Sequence, residues 1–397
     1  MSVLGALVAA QIVAGGQAIP MLTHADPIPG AGALTELRVV QPVVFASGSW
    51  FGGRLRAHAM LDGEAWTMEH GQLASGDFGE GFSDKRHPHT WGHELIVSAV
   101  DAVRLPAELH WSISAGKGFA PYGTDDPMNR PALIYPVNHH WSQILERAVV
   151  IAGISRGPVT LEAGLFNGDE PENPRQWPSW ARFGDSWSAR LLVHPARGLE
   201  LQGSYAHVPS PEHRGGAGLL HEKASLSARI DRSNSSGAWY GLAEWAYNDE
   251  GGGVFIYRSV LVETQLRRGR HRPYLRLEFT ERPEENRLAN DLFRSPRPHA
   301  ENSNIGISRW NVVTGGYGVT VGPAAWPLRF EGIAEGNWMK VTTVTGIFDP
   351  VLLYGRNDLW MASVALRITA GSPLHRMGRY GVAAGDGPMN HSQHGME

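Results

Sequence analysis

The sequence predicts an all-β fold, a transmembrane antiparallel up-and-down β-barrel of about 16 strands. Three observations predict it. Segments along most of the chain alternate apolar and polar residues at every second position, the connections between them alternate short and long, and aromatic residues gather near the segment ends. Successive side chains of a strand point to opposite sides, so period-two alternation gives each segment one greasy wall and one wet wall. In a soluble sandwich the greasy wall meets a core; in a lipid-embedded barrel it meets lipid and the wet wall meets a lumen.

The elements read in order as follows. Met1 to Val13 is apolar enough for a signal h-region, but no Lys or Arg precedes it and no clear cleavage site follows; it is either a degenerate or truncated signal or, as the sixteen-strand count needs, part of a mature chain whose first strand is Val8 to Leu22. Leu199, Leu201 and Tyr205 oppose Glu200, Gln202 and Ser204. Ala224, Leu226, Ala228 and Ile230 oppose Lys223, Ser225, Ser227 and Arg229. Leu275, Leu277 and Phe279 oppose Arg276 and Glu278, and Leu328 and Phe330 oppose Arg329, Glu331 and Glu335. The last strand spans Leu359 to Thr369.

Tight connections fall at 49–52, 103–106, 155–158, 195–198, 232–237, 267–271 and 322–327. Long, polar, Gly/Pro-rich ones fall at 24–34, 66–88, 119–140, 167–183, 208–219, 247–253, 281–303 and 337–357. Only the outer face of such a barrel is free to elaborate, so the short turns are periplasmic and the long loops extracellular; an even strand count returns both ends to the periplasm. The expected barrel covers residues 1–370. Residues 371–397, rich in Gly, His and Met and without strand periodicity, are expected as a flexible C-terminal tail lying past the barrel.

Composition is consistent. There is no cysteine, no uninterrupted apolar run long enough for a spanning helix, and a near-neutral charge of -4, which gives no reason to expect a nucleic-acid partner. Trp50, Phe51, Trp66, Trp91, Trp141, Trp187, Trp310, Trp326, Trp338 and Trp360 are candidates for interfacial girdles. Enzyme signatures are lacking: no GxSxG occurs, His93-Glu94 is not followed by the second His of HExxH, and Gly251-Gly252-Gly253 has no adjoining Lys and Ser/Thr for phosphate.

Five strings, GEGFSDKRHPHTWGHE (Gly79 to Glu94), SAGKGFAPYGTDDPMNRP (Ser114 to Pro131), YPVNHHWSQILER (Tyr135 to Arg147), AGLFNGDEPENP (Ala163 to Pro174) and FGDSWSAR (Phe183 to Arg190), resemble those of uncharacterised bacterial outer-membrane, porin-like β-barrel proteins. The resemblance covers about the first half of the chain. It implies a Gram-negative-type outer-membrane barrel and brings neither substrate nor catalytic residues.

Three groups of residues carry chemistry. The polar strand faces place Arg54, Arg56, Glu162, Arg190, Glu200, Lys223, Arg229, Glu263, Arg276, Glu278, Arg329, Glu331, Glu335 and Arg367 along a lumen. Single-sign rings select ions. Here acids and bases are mixed, which fits either transverse fields in a water-filled pore or a ladder of ion pairs that partly closes it. The third long loop, Phe119 to His140, occupies the position of the constriction loop of general porins.

His87, His89 and His93 enter the fourth strand, and His139 and His140 the sixth. The two groups are expected at one rim about 10 Å apart, two strand spacings, with Asp125 and Asp126 between. Imidazoles and carboxylates suit zinc or copper, whereas anchoring of a long loop by hydrogen bonds is the plainer account, because HPH is not a closed zinc spacing. The tail adds His375, Met377, Met389, His391, His394 and Met396, which suit copper(I) or silver if they converge and otherwise form a solvated extension.

These readings imply an outer-membrane channel for passive diffusion of small hydrophilic solutes or ions, linked to transition-metal ions if the histidines bind. The alternative is a loop-plugged structural or metal-binding barrel without open-pore transport.

Overall fold

The computed structural model describes residues 11–28, 31–67, 90–103, 105–106, 108–144, 146–169, 171, 175–211, 216–285, 304–323 and 325–384. His87 and His89, and the tail residues Met389, His391, His394 and Met396, lie outside the described residues.

Sixteen antiparallel strands form one closed barrel. They are β1 (Gln11–Ile28), β2 (Gly32–Trp50), β3 (Leu55–Asp62), β4 (Gly92–Val100), β5 (His110–Gly118), β6 (Arg147–Arg156), β7 (Val159–Phe166) and β8 (Ser186–Ala196), followed by β9 (Leu199–Pro209), β10 (Leu220–Asn234), β11 (Gly237–Glu250), β12 (Phe255–Arg267), β13 (His271–Glu285), β14 (Asn304–Val321), β15 (Leu328–Gly346) and β16 (Asp358–Gly371). Each strand pairs with its sequence neighbours, and β1 closes on β16 from Gly15↔Gly371 to Asp26↔Trp360. Closure leaves no sheet edge, so every wall strand pairs its backbone polar groups within the protein, as a hydrocarbon surround requires.

The period-two faces sort as the sequence reads them. Outward-pointing Leu226 is 58% exposed and Leu277 46%, while their inward neighbours Ser225, Arg276 and Glu278 are buried. Outside, Phe51, Trp239 and Trp326 mark the short-turn end, and Trp187, Trp338 and Trp360 the long-loop end, all exposed. From Leu328 to Trp338 on β15 the chain rises roughly 33 Å along the strand, or about 25 Å along the barrel axis at the usual tilt, the height of a lipid-facing apolar band. Trp141 and Trp310 do not belong to the girdles. Both are buried inside, Trp141 stacked on Tyr257 with its indole N–H donated to Glu281 O (2.8 Å), and Trp310 bonded to Ser308 Oγ (2.8 Å).

Some expected loops are strand. β1 runs to Ile28 and β2 starts at Gly32, β11 reaches Glu250, and β15 continues through Val341-Thr342-Thr343-Val344-Thr345 to Gly346, so the connections there shrink to 29–31, 251–254 and 347–357. β-Branched residues favour extended backbone even when polar, so hairpins rise beyond the apolar band as paired polar ribbons. The longest connections are 63–91, 119–146, 167–185 and 286–303.

Among the described residues, two segments fill the interior. Residues 119–146, between β5 and β6, fold inward and are buried at nearly every described position. After β16, residues 372–384 turn back into the barrel, and Met377 to Gly381 are buried. The second finding corrects the expectation of a flexible tail past the barrel over this stretch. Its leader, Leu374-His375-Arg376-Met377, reads as loop locally, but its apolar and cationic side chains have partners on the inner wall.

Candidate functional site: the filled lumen

The wall positions its charged side chains by strand parity, and the inner segments meet them with backbone. On the acidic side, Glu335 on β15 accepts Leu133 N–H (2.6 Å) and Ile134 N–H (3.3 Å), and Glu278 on β13 accepts Val137 N–H (2.8 Å). Glu244 on β11 accepts the Asn138 amide (2.9 Å) and the Arg130 guanidinium (3.2 Å). On the basic side, Arg272 donates to Pro131 O (3.1 Å), Arg276 to Ile134 O (3.0 Å) and Tyr135 O (3.3 Å), and Lys223 to His140 O (2.9 Å). A peptide backbone carries both donors and acceptors that must be satisfied once buried. A wall of both signs therefore suits a length of peptide, where a single-sign wall would satisfy half of it.

The wall charges also pair with one another. Arg190 binds Glu162 (2.7 Å), Arg276 binds Glu278 (2.7 Å), and Arg272 binds Glu331 through both guanidinium nitrogens (2.6 and 2.9 Å) with Arg367 at 3.4 Å. Glu263 lies 3.9 Å from Arg130. Breaking such a buried pair costs several kcal/mol, about 3–5, because a desolvated charge is left behind.

Residues 372–384 are held differently. Arg376 reaches both Asp125 of the inner loop (2.7 Å) and Glu200 of β9 (2.9 Å), and Arg379 also binds Glu200 (3.0 Å). Arg190 donates to Gly378 O (2.7 Å), Arg56 to Gly381 O (3.3 Å), and Asn129 exchanges hydrogen bonds with His375 O (2.7 Å) and Met377 N–H (3.2 Å). Arg229 closes the network on Asp125 (2.7 Å). Burial alone would raise the Asp125 carboxyl, but the charges of Arg229 and Arg376 outweigh it and hold it at about 2. Burial and the neighbouring Arg190 lower Arg379 to about 9, with Glu200 opposing. The inner loop can fold back on itself here because position 123 is glycine at φ +68°; a Cβ there would run into the Ser142 carbonyl.

Of the residues expected along a lumen, Arg56, Glu162, Arg190, Glu200, Lys223, Arg229, Glu263, Arg276, Glu278, Arg329, Glu331, Glu335 and Arg367 lie on inward strand faces, where most are buried under the two segments. Arg329 is the exposed one, at the short-turn mouth beside a cavity that Gln17, Phe45, Thr369 and Leu374 also line. Arg54 is a correction: it sits exposed in the turn between β2 and β3, where the chain reverses before strand parity begins.

Of the histidines expected as a metal rim, the described ones, His93, His139 and His140, are not gathered. His93 is fully buried and its Nδ1 meets Glu146 Oε1 (2.7 Å), which also accepts Thr90 N–H (3.0 Å) at the exit of the inner loop. His139 and His140 lie in a single helical turn, ring against ring at 4.1 Å, with His139 Nδ1 at Pro136 O (3.2 Å). Among the described residues, three potential ligands converge elsewhere, at His58, Glu94 and His375. Sequence reading placed His375 in the tail and passed over His58 and Glu94. Their period-two inward positions on β3 and β4 were legible, but the fold-back of the segment after β16 was not.

No family model matches this chain, and no curated protein sequence matches it. Solved structures do. The chain is similar to a loop L8 deletion mutant of OmpT, an outer membrane protein of Vibrio cholerae (TM-score 0.54, 9% identity, covering 91% of this chain and 99% of that one). It is also similar to the anion-selective porin from Comamonas acidovorans (0.50, 11%, 91% and 99%) and to Salmonella typhi OmpF in complex with daunomycin (0.50, 10%, 91% and 97%). At these identities the likeness is one of fold: the chain has the porin-type sixteen-stranded barrel.

Proposed function

We propose that this barrel resides in a bacterial outer membrane and is a porin-class channel for small hydrophilic solutes, held shut in this conformation by residues 119–146 and 372–384. The barrel class is supported by the apolar outer band between two aromatic girdles and by the likeness of fold to outer-membrane porins. The observation that carries the closed state is the burial of the inward charges: Arg190, Arg276, Glu263, Glu278 and Glu335 are each at most 6% exposed. A water-filled pore leaves such groups wet. Here Arg190, Arg276, Glu278 and Glu335 bond to peptide, and Glu263 accepts the Tyr240 hydroxyl (2.7 Å).

The releasable element is 372–384. It meets the wall largely through long side chains, and its carboxylate partners Asp125 and Glu200 stay on the inner loop and β9 when it leaves. A permanently closed structural barrel is the second reading, favoured by the inner loop being held along its backbone on opposite walls. Liposome swelling with sugars of graded size separates the two. The channel reading expects uptake to rise when the chain is ended at Ser372; unchanged impermeability of that variant supports the structural barrel.

A further inference from the structure

We propose that His58, Glu94 and His375 form a binding site for one divalent transition-metal ion of the zinc or copper class, and that the ion ties residues 372–384 to the barrel wall. His58 is on β3 and Glu94 on β4, and both point inward. Met60 is the direct cross-strand partner of Glu94, so His58 is its diagonal neighbour, within reach of a long side chain. His375 arrives from the folded-back segment. His58 Nε2 and His375 Nε2 both face the same carboxylate oxygen, Glu94 Oε2, at 3.4 and 2.9 Å, and all three ligand atoms lie within 4.8 Å of one another. In a tetrahedral zinc site with bonds of about 2.0–2.1 Å, ligand atoms stand roughly 3.3 Å apart, so small side-chain movements around an ion suffice.

The surroundings hold the ligands in a binding arrangement. His58 Nδ1 is engaged by Ser47 Oγ (2.7 Å), which turns Nε2 toward Glu94. Tyr380 O–H donates to Glu94 Oε1 (2.5 Å), leaving Oε2 to the two imidazoles. Metal ligands typically carry such outer partners, which fix ring orientation and carboxylate rotamer. Phe45 lies 6.2 Å from the His58 ring and 6.0 Å from the His375 ring, and the two imidazoles themselves are only 3.7 Å apart between centroids. Glu94 is fully buried, and its Oε2 is the shared near neighbour of the facing nitrogens of both His58 and His375. One carboxylate oxygen thus serves two imidazoles, and an ion between the three atoms would be bound by all of them. Two imidazoles and a carboxylate are borderline ligands that suit zinc, copper or nickel, and leave a fourth position for water. A cavity beside Arg329 at the short-turn end lies next to the cluster: it is lined by Phe45 and by Leu374, the neighbour of His375.

The site stands apart from the question of conductance and is tested apart from it. Purified full-length protein, stripped with EDTA and dialysed against Zn2+, is expected to retain one equivalent, with an X-ray absorption spectrum of two imidazoles and oxygen donors. His58→Ala, Glu94→Gln and His375→Ala should each weaken binding by at least the roughly 10- to 100-fold typical of losing an outer-sphere partner. The double variant H139A/H140A and a chain ended at Ala384, which lacks Met389, His391, His394 and Met396, should keep the equivalent. Heat-modifiable migration on a gel checks that each variant is folded, and the absorption spectrum of the unaltered protein decides the ligand set should a variant not fold. Absence of stoichiometric zinc, a spectrum without two imidazoles, or binding untouched by His375→Ala overturns the proposal.

Discussion

The two segments inside the barrel are bound in different proportions by backbone and by side chain. Residues 119–146 present backbone N–H and C=O groups, and the wall supplies the charges: Glu335, Glu278 and Glu244 on one side, Arg272, Arg276 and Lys223 on the other. Residues 372–384 bring their own charges, Arg376 and Arg379, which meet the wall carboxylate Glu200, while Arg190, Arg56 and Glu94 hold the rest of the segment. The difference sets an order of dependence. The two segments hold each other through Asp125 and Asn129, but the inner loop also has anchors along several wall strands. The barrel is therefore expected to keep the first segment when the second leaves.

The largest effect expected from breaking this arrangement is on the wall itself. Glu278→Ala leaves Arg276 buried without its partner and Val137 N–H without its acceptor, and should cost about 3–5 kcal/mol in urea unfolding from lipid vesicles. Leu277→Arg, one residue away on the lipid side, should cost about 2–4 kcal/mol if near the midplane. A mild effect of Glu278→Ala would show that the inner loop is not anchored there. Arg376→Ala should change barrel stability little, yet expose residues 372–384 to added protease while 119–146 stays protected. Equal loss of protection in both segments would remove the order of dependence.

Acid sharpens the same distinction. The Asp125 carboxyl, held at about 2, lies below the ordinary value for an unfolded chain, so its contribution is fully present above about 4 and fades as pH falls through 2. Protease protection of 372–384 should follow that curve, and Asp125→Asn should abolish the pH dependence. The smallest effect is assigned to His140→Ala, below about 1 kcal/mol, because Lys223 holds the backbone carbonyl that the variant retains.

Strand parity was legible throughout because it is a local property: Leu226 against Ser225, and Leu277 against Arg276 and Glu278, follow from the pleat alone. Strand ends were less so. Val341 to Thr345 and Tyr247 to Glu250 carry polar or small residues that loops also use, and nothing local shows that a hairpin continues past the lipid. The mixed signs of the wall were visible, but their purpose was not, since the partner of Glu335 is the backbone of Leu133, two hundred positions away in sequence, and a peptide N–H has no letter of its own. The fold-back of 372–384 was hidden for the same reason. Tyr380 meets Glu94 across 286 positions, and only the closed barrel brings them together.

The central claim is that residues 372–384 complete the closure of a lumen that residues 119–146 only narrow. Single-channel recording in a planar bilayer, comparing the full chain with one ended at Ser372, tests it most directly. The account predicts a full-length protein that is silent or conducts in rare brief openings, and a shortened one with long-lived, larger steps. Steady conductance of the same size from both proteins would contradict it.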